Sequence, residues 1–198
     1  MGKIFCLMGK SSSGKDTLYQ LLLEKKELNL FRVIPYTTRP RRHLEENGRE
    51  YFFVDEKRQQ EMEREGKIIE LRAYDTIHGI WKYFTADDGQ ICLKKNNYLI
   101  IVTLEAYEKM LHFFGKEAMV PIYVEVEDGI RLQRALDREK LQDNPRYAEL
   151  CRRFLADTED FSQEKLLHAN ITKRFSNENL ADACQEIASY IKCEIDSL

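Results

Sequence analysis

No stretch of this sequence is apolar for long enough to cross a membrane as a helix. A spanning helix needs about 20 consecutive apolar residues, and every apolar run in the 198-residue chain is far shorter. The N-terminus leads directly into a strand-like segment, so no secretory signal peptide is predicted. The net charge of −3, with 33% charged residues of both signs, gives no electrostatic case for nucleic acid or an anionic membrane. We therefore expect a cytoplasmic protein that binds neither.

Disulfide and metal-binding patterns are missing as well. The five cysteines form no C-x-x-C pair and the four histidines have no metal-ligand spacing, so a structural zinc site is not expected. The cysteines lie in apolar or helical contexts, which is typical of buried thiols in a reducing cytosol. These residues are Cys6, Cys92, Cys151, Cys184 and Cys193, and His43, His78, His112 and His168.

Composition and periodicity indicate one globular domain with subdomains. The chain is 43% hydrophobic, which allows a sizeable core. Strand-like runs alternate with helical patterns, and this alternation favours parallel strands with right-handed crossovers. The predicted strands are 3–8, 31–35, 51–54, 67–73, 80–84 (joined to the preceding strand by a turn at 76–79), 98–102, 119–126 and 170–172 or just beyond. The predicted helices are 15–27, 55–65 ended by Gly66, 86–95, one ended by Gly115, 128–161 broken near Pro145, and 179–191.

Residues 9–17, Gly-Lys-Ser-Ser-Ser-Gly-Lys-Asp-Thr, predict a phosphate-binding loop. They match G-x-x-x-x-G-K between an apolar strand and a leucine-rich helix, which is the context that the motif requires. Glycines permit backbone angles that point successive N–H groups at an anion. The helix N-terminus and the ammonium of Lys15 would add positive charge at the β- and γ-phosphates. We expect a nucleoside triphosphate to bind here, and a simple Gly/Ser turn is the weaker alternative.

The position after Lys15 departs from the usual motif. A Ser or Thr there commonly ligates Mg²⁺, whereas this chain has Asp16 followed by Thr17. A carboxylate oxygen is a good ligand for a hard cation, so either residue is a candidate Mg²⁺ ligand. The extra negative charge of Asp16 would have to be offset by the metal or by a nearby arginine.

A basic cluster at residues 38–42, Thr-Arg-Pro-Arg-Arg, is followed by Tyr51. Guanidinium forks and a tyrosine hydroxyl can hold a phosphate monoester without a metal. A solvated basic turn, paired with the acidic residues at 45, 46 and 50, explains the same composition. Both interpretations stay open at this point.

Two glutamates lie where a carboxylate costs free energy unless it meets donors. Glu70 lies inside the apolar run 68–71, and Glu105 follows a buried strand and Thr103. Guanine offers a donor pair on its N1–H and N2 amino edge, whereas adenine presents an acceptor at N1, and such contacts discriminate bases by about 1–3 kcal/mol. Each glutamate would equally suit a surface-facing strand residue or a helix cap.

These motifs resemble the guanylate kinase family, and the resemblance extends over essentially the whole chain. Residues 9–17 are similar to the family's G-P-S-G-x-G-K-S-T, and residues 37–54 to its T-T-R-x-P-R-x-G-E-x-x-G-x-D-Y-x-F-V. The second run is by far the more specific of the two. The departures are Lys10, Ser12 and Asp16 in the first run, a shifted proline, Leu44 and Glu50 in the second, and Pro35 where the phosphate pocket usually has a hydroxyl.

The resemblance implies an α/β fold of three layers: a P-loop NTPase-type parallel sheet core, an inserted small mixed-sheet subdomain for the nucleoside monophosphate, and a helical lid. The whole chain, 1–198, would be one guanylate-kinase-like domain. Its core would comprise 1–35, 96–128 and 160–198, its GMP-binding subdomain 36–95 and its lid 129–159.

The resemblance also implies three groups of site residues. The ATP side would comprise Gly9, Ser11, Ser12, Ser13, Gly14, Lys15, Asp16, Thr17 and Asn177. The GMP side would comprise Arg39, Arg42, Tyr51, Glu70, Tyr83, Thr85 and Glu105, where matching 83–85 to the family's Y-G-S/T requires a short insertion near 75–79. The lid would supply Arg134, Arg138 and Arg153, which with Lys15 and Arg39 form the implied catalytic set.

The implied activity is phosphorylation of GMP or dGMP by ATP with Mg²⁺, in a monomer or homodimer. Phosphoryl transfer through a loose transition state needs alignment and charge neutralisation more than a catalytic base. One alternative is a kinase of this fold with another small phosphorylated acceptor. A second is a guanylate-kinase-like module that binds phosphopeptides and transfers nothing, but the intact Gly9, Gly14 and Lys15 count against it.

Overall fold

The computed structural model describes residues 1–43, 45–76 and 79–197. Its elements follow in the order β1 (Ile4–Met8), α1 (Lys15–Glu24), β2 (Leu30–Arg32), β3 (Tyr36–Thr37), β4 (Phe52–Phe53), α2 (Glu56–Arg64), β5 (Ile68–Thr76), β6 (Gly79–Ala86), β7 (Asn97–Ile101), α3 (Leu104–Phe114), β8 (Met119–Glu125), α4 (Asp128–Lys140), α5 (Tyr147–Asp160), α6 (Gln163–His168), β9 (Arg174–Ser176) and α7 (Leu180–Asp196). A single 3-10 turn, Lys26–Leu28, follows α1.

A five-stranded sheet in the order β2-β7-β1-β8-β9 forms the centre of the molecule. All of its neighbouring strands are parallel, so each connection must cross over one face of the sheet. Strand β1 lies in the middle and is fully buried on both faces, as its continuous apolar sequence predicts. The carboxyl end of β1 therefore opens at the middle of the sheet edge, where ligands bind in open α/β sheets.

Helices cover both faces of this sheet. Alternate side chains of β1 enter two separate cores: Phe5 and Leu7 pack with α1 and α7, whereas Ile4 and Cys6 pack with α3. Burying one large aliphatic side chain contributes about 1.5–3 kcal/mol. The resulting three layers hold the loop after β1 on a rigid support.

The second sheet is smaller and mixed, with the order β4-β3-β6-β5. Strands β3 and β4 are parallel, whereas β6 runs antiparallel to β3 and β5. One face packs Phe84 and Ala86 against Met62 of α2, which begins at the N-cap Asp55. Successive side chains of a strand point to opposite faces, so the other face of β5 and β6 is free to carry polar groups.

These observations confirm the expected fold class, an α/β fold with a parallel core sheet and a smaller mixed sheet. The final strand lies at Arg174–Ser176, just beyond 170–172, and the helix at Gln163–His168 was not predicted. The turn predicted at 76–79 includes Ile77 and His78, and these two residues and Leu44 lie outside the described part of the chain.

The helix predicted at residues 86–95 is wrong. After β6 ends at Ala86 the backbone turns, with Gly89 at a φ of +90°. Neighbouring segments take up its polar groups: Gln90 bonds both backbone groups of Ile34, and the Cys92 N–H donates to the Tyr98 hydroxyl at 2.8 Å. Tertiary partners therefore replace the hydrogen bonds that a helix would supply.

The expectation of uniformly buried thiols is also wrong. All five cysteines are free, but only Cys6 and Cys184 are buried, Cys92 is half-buried, and Cys151 and Cys193 are exposed. The two exposed thiols lie on helices α5 and α7, where an amphipathic pattern does not fix which face meets solvent. No helix in the described ranges is long and apolar enough to cross a bilayer.

Candidate nucleotide-binding site

The loop between β1 and α1 requires glycine at two positions. A Cβ at Gly9 would lie 2.6 Å from the backbone oxygen of Val124, and one at Gly14 would collide with Nδ2 of Asn177. Gly14 is also left-handed, at φ +79°, and is the N-cap of α1. Ser12 adopts φ +63° without being glycine, an uncommon conformation for such a residue. The predicted loop therefore has the alternating backbone that points amides at an anion.

Asn177 supports this loop from the end of β9. It is 2% exposed, and its Nδ2 donates to the backbone oxygen of Ser13 at 2.7 Å. The sequence resemblance placed Asn177 near the adenine. The structure shows it fixing the loop itself, and this contact alone would explain an asparagine here.

The lid helices α4 and α5 approach the loop with two of the predicted arginines. Arg138 donates to Oγ of Ser12 at 3.3 Å, and Arg153 donates to Oγ of Ser11 at 3.1 Å. A cavity of about 190 Å³ separates the loop from these helices. The guanidinium groups therefore lie where phosphate oxygens on the loop would meet them.

Arg134, the third predicted lid arginine, has a different setting. It donates to the backbone oxygens of Asn177 at 3.0 Å and Glu178 at 3.4 Å. It therefore binds the segment after β9 and not the loop hydroxyls.

Arg131 was missed by the sequence reasoning. Its side chain is 1% exposed and donates to Asp128 at 2.7 Å and to the backbone oxygen of Ser11 at 2.9 Å, with its guanidinium 4.7 Å from the ring of Phe154. Asp157 accepts from the Ser11 N–H at 2.7 Å. Charged residues on amphipathic helices are normally solvated, so no sequence signal separated Arg131 from its exposed neighbours.

The predicted magnesium ligands lie at the start of α1. Asp16 is 82% exposed, 3.8 Å from the Lys15 ammonium, and Thr17 is exposed too. No cluster of three or more metal-ligating side chains exists in the described ranges. Magnesium usually takes one or two protein oxygens plus water and substrate phosphates, so an exposed carboxylate beside a phosphate loop fits this ion and would suit a protein-only cage poorly.

Arg39 is the centre of the predicted acceptor site. It is 3% exposed, its two terminal nitrogens fork onto Glu45 at 3.0 and 2.7 Å, and its Nε donates to the hydroxyl of Tyr83 at 3.1 Å. Burial opposes the charge, but the hydrogen bonds to Glu45 and the nearby Tyr83 hold the pKa of Arg39 above its ordinary value. The guanidinium is therefore permanently charged and fixed in orientation.

Tyr51 completes this end of the site, and Arg42 lies at its edge. The Tyr51 ring is 5.7 Å from the Arg39 guanidinium and 5.7 Å from the Tyr83 ring. Burial raises the pKa of Tyr51, so its hydroxyl stays a donor at neutral pH. Arg42 is exposed, and its backbone N–H donates to Glu45 at 2.9 Å. Arg39 is therefore paired with Glu45, as the turn alternative expects, but it is buried and not solvated, whereas the exposed Arg42 fits that alternative fully.

The polar face of β5 and β6 continues from this cluster. Register pairs Glu70 with Thr85 and Arg72 with Tyr83, so these four side chains share one face. Glu70 is fully buried and accepts from Thr85 at 2.9 Å and from Arg72 at 2.9 and 3.2 Å. The predicted base-reading residues Glu70 and Thr85 thus meet, together with an arginine that was not predicted.

Glu105 stands apart from this face. It lies in the first turn of α3, its side chain is 59% exposed, and it pairs with Lys109 at 2.7 Å. Thr103 caps the same helix through the Ala106 N–H. Glu105 therefore has the position that the helix-cap alternative describes, because a carboxylate is favourable near a helix N-terminus.

A central strand that ends in a glycine-rich loop, with a helix opening at that loop inside an all-parallel sheet, defines a P-loop nucleotide-binding fold. The comparisons with known proteins agree. Residues 1–80 match the sequence family described as guanylate kinase. A guanylate kinase of Wolbachia (Brugia malayi strain TRS) is 38% identical over 84 residues, covering 42% of this chain and 43% of that protein. One of Malacoplasma penetrans is 28% identical over 184 residues, covering 89% and 82%.

The solved guanylate kinase of Anaplasma phagocytophilum has the same fold, with a TM-score of 0.66 at 21% identity, over 98% of this chain and 86% of that one. The chain matches less than half the length of the Wolbachia relative. The resemblance to the guanylate kinase family is thus confirmed, carried in sequence mainly by residues 1–80 and in fold by nearly the whole chain.

Proposed function

We propose that this protein is a guanylate kinase that transfers the γ-phosphoryl group of ATP to GMP or dGMP. The observation that carries the proposal is the cluster of Arg39, Tyr51 and Tyr83 beside the small sheet, which we interpret as a second anion site in a chain whose first strand ends in a glycine-rich loop. A phosphate loop alone would not indicate the acceptor. Matches to guanylate kinases support the same substrate pair.

On the donor side, the proposal assigns the triphosphate to the loop. The amides of residues 9–14, the N-terminus of α1 and the ammonium of Lys15 would hold the β- and γ-phosphates. Mg²⁺ would be held by Asp16 or Thr17 and would neutralise charge between donor and acceptor phosphates. Arg138 and Arg153 lie at the loop hydroxyls, which suits a role in stabilising the transferring group.

On the acceptor side, Arg39, Tyr51 and Tyr83 would hold the GMP phosphate, and Arg42 would reach it from the edge. Glu70 and Thr85 would receive the base. We propose that the chain divides into a core of 1–35, 96–128 and 160–198, a GMP-binding subdomain of 36–95 and a lid of 129–159. From the sequence, we also expect the protein to be cytoplasmic and to be a monomer or a homodimer.

The chemical role of these residues is alignment and charge neutralisation. Lys15, Arg138 and Arg153 would stabilise the charge on the equatorial oxygens, while Arg39 would fix the attacking phosphate in line. Lid closure over the loop would exclude water, which would otherwise compete as an acceptor. No side chain needs to act as a strong base.

The test is a coupled assay of ADP formation with ATP, Mg²⁺ and GMP. The Lys15→Ala variant should lose turnover by about 10²-fold or more, because one preorganised donor to developing charge contributes on that scale. Lys57→Ala, on the exposed face of α2, is the matched control and should retain full activity. Equal rates for wild type and Lys15→Ala would refute the proposed mechanism, and a wild type without turnover that binds phosphopeptide would favour the scaffold alternative.

A further inference from the structure

Arg72 is hydrogen-bonded to the carboxylate of Glu70, the group proposed to bind the base. Its Nε and Nη2 fork onto the two oxygens of Glu70 at 2.9 and 3.2 Å, and the Thr85 hydroxyl donates to one of the same oxygens at 2.9 Å. The Glu70 side chain is fully buried and that of Arg72 is 13% exposed. The pair is built into the strand, because residues two apart on β5 share a face.

Counting acceptor sites shows what Glu70 can still bind. An ionised carboxylate has about four lone-pair sites on its two oxygens. The fork uses one on each oxygen, and Thr85 uses the second site on one of them. One acceptor site is left, whereas the N1–H and 2-amino group of guanine together need two.

Arg72 has more N–H groups than it uses to bind Glu70, so it can also donate a hydrogen bond to a substrate. A guanidinium carries five N–H groups, and two of them bind Glu70. One more reaches the Thr103 hydroxyl at 3.5 Å, a long contact. Within the described contacts, at least one N–H of Arg72 is left to donate.

We propose that Arg72 determines the base preference of the proposed acceptor site, because Glu70 and Arg72 together read a ring N–H beside a carbonyl oxygen and not the 2-amino group of guanine. The N–H would donate to the remaining site on Glu70, and the carbonyl would accept from Arg72. This inference rests on the proposed function and deepens it.

The consequence is a defined substrate class. Guanine and hypoxanthine both carry N1–H next to the 6-carbonyl, so GMP and IMP would both bind. Adenine and cytosine have an acceptor ring nitrogen beside an amino group, which is the reverse pattern. AMP and CMP would therefore leave the remaining acceptor site of Glu70 and the remaining N–H of Arg72 without partners, and would be rejected.

The experiment compares GMP, IMP and AMP with the wild-type protein, by calorimetric binding and by kcat/KM. A site built to hydrogen-bond a substrate group rejects the analogue that lacks it by about 10⁴-fold, so a preference for GMP over IMP below about thirtyfold is the expected result. AMP should bind more weakly than both. A GMP preference above that limit, or AMP binding as tightly as IMP, overturns the inference.

Two variants test whether Arg72 itself is responsible. Arg72→Ala and Arg72→Gln both remove the fork, and glutamine keeps one donor for Glu70 if alanine unfolds the subdomain. Each should raise the preference for GMP over IMP by about tenfold or more, because Glu70 regains a second acceptor site. The exposed Arg64→Ala on α2 is the matched control. An unchanged GMP-to-IMP ratio in a folded variant overturns the role of Arg72.

Binding and turnover separate this inference from the proposed function. If both monophosphates bind similarly but no ADP forms, the kinase activity is refuted and the base preference stands. If ADP forms rapidly with GMP and very slowly with IMP, the kinase activity stands and the role of Arg72 is refuted.

Discussion

Replacing Glu45 by glutamine tests whether a carboxylate holds the Arg39 guanidinium in place. Glu45 accepts both terminal nitrogens of Arg39 and the backbone N–H of Arg42, with side-chain exposures of 15% for Glu45 and 3% for Arg39. Hydrogen bonds to charged groups contribute about 1.5–3 kcal/mol. Glutamine keeps the shape and one acceptor, so we expect a loss of about 1–2 kcal/mol in the free energy of unfolding, measured by urea denaturation at pH 7.

The pH dependence of this loss checks its electrostatic origin. The hydrogen bond from Arg39 lowers the pKa of Glu45 below its ordinary value of 4.5. A carboxyl with a depressed folded-state pKa contributes stability that is fully present above its unfolded pKa and is lost as the pH falls through the folded pKa. The difference in free energy of unfolding between wild type and Glu45→Gln should therefore be constant from pH 7 down to about 5 and shrink below about 4.5.

Glu46→Gln is the matched control for this prediction. Glu46 lies in the same loop and pairs with Arg49 at 3.1 Å, but its side chain is 67% exposed, so its substitution should change stability by less than about 0.5 kcal/mol. The electrostatic account would be refuted if the stability difference between wild type and Glu45→Gln were as large at pH 3 as at pH 7, or were absent at pH 7. The KM for GMP should also rise in Glu45→Gln, because Arg39 would lose its fixed orientation.

Two further predictions concern the loop and the thiols. Gly14→Ala should lower the free energy of unfolding by at least about 1–2 kcal/mol and weaken ATP binding, because alanine is disfavoured in the left-handed region and its Cβ would collide with Asn177. Urea denaturation measures the first effect and calorimetry the second. Gly89 is also left-handed but has open space around it, so Gly89→Ala should leave ATP binding unchanged. Burial raises the pKa of the Cys6 thiol, so a thiol reagent at pH 8 should modify the exposed Cys151 and Cys193 before Cys6, and early labelling of Cys6 in native protein would contradict the buried placement.

The core of this fold could be predicted from sequence because local and tertiary preferences agree there. Strand β1 is apolar throughout and fully buried, and α3 begins at a capping Thr103 and ends at Gly115. The helix prediction at 86–95 failed because the Gln90 side chain bonds to Ile34, while the backbone bonds to Tyr98 and, through Leu93, to Gly2. Such long-range partners leave no periodic pattern in the sequence.

The candidate site divides in the same way. The loop and Arg39 have motifs with fixed spacing, so they were found. Arg72 had a usable signal, because a basic residue two positions after a buried glutamate shares its face in a strand. Arg131 had none, since its burial depends on Asp157 and Ser11 from distant segments.

The carboxylate of Asp157 bonds the Ser11 amide at 2.7 Å, a position that a phosphate oxygen would take in an occupied loop. An incoming nucleotide that uses this amide must therefore evict an acidic side chain of helix α5. Donor affinity and the Asp157–Ser11 contact then become thermodynamically linked: whatever breaks this contact strengthens ATP binding, and ATP by the same amount favours the broken contact.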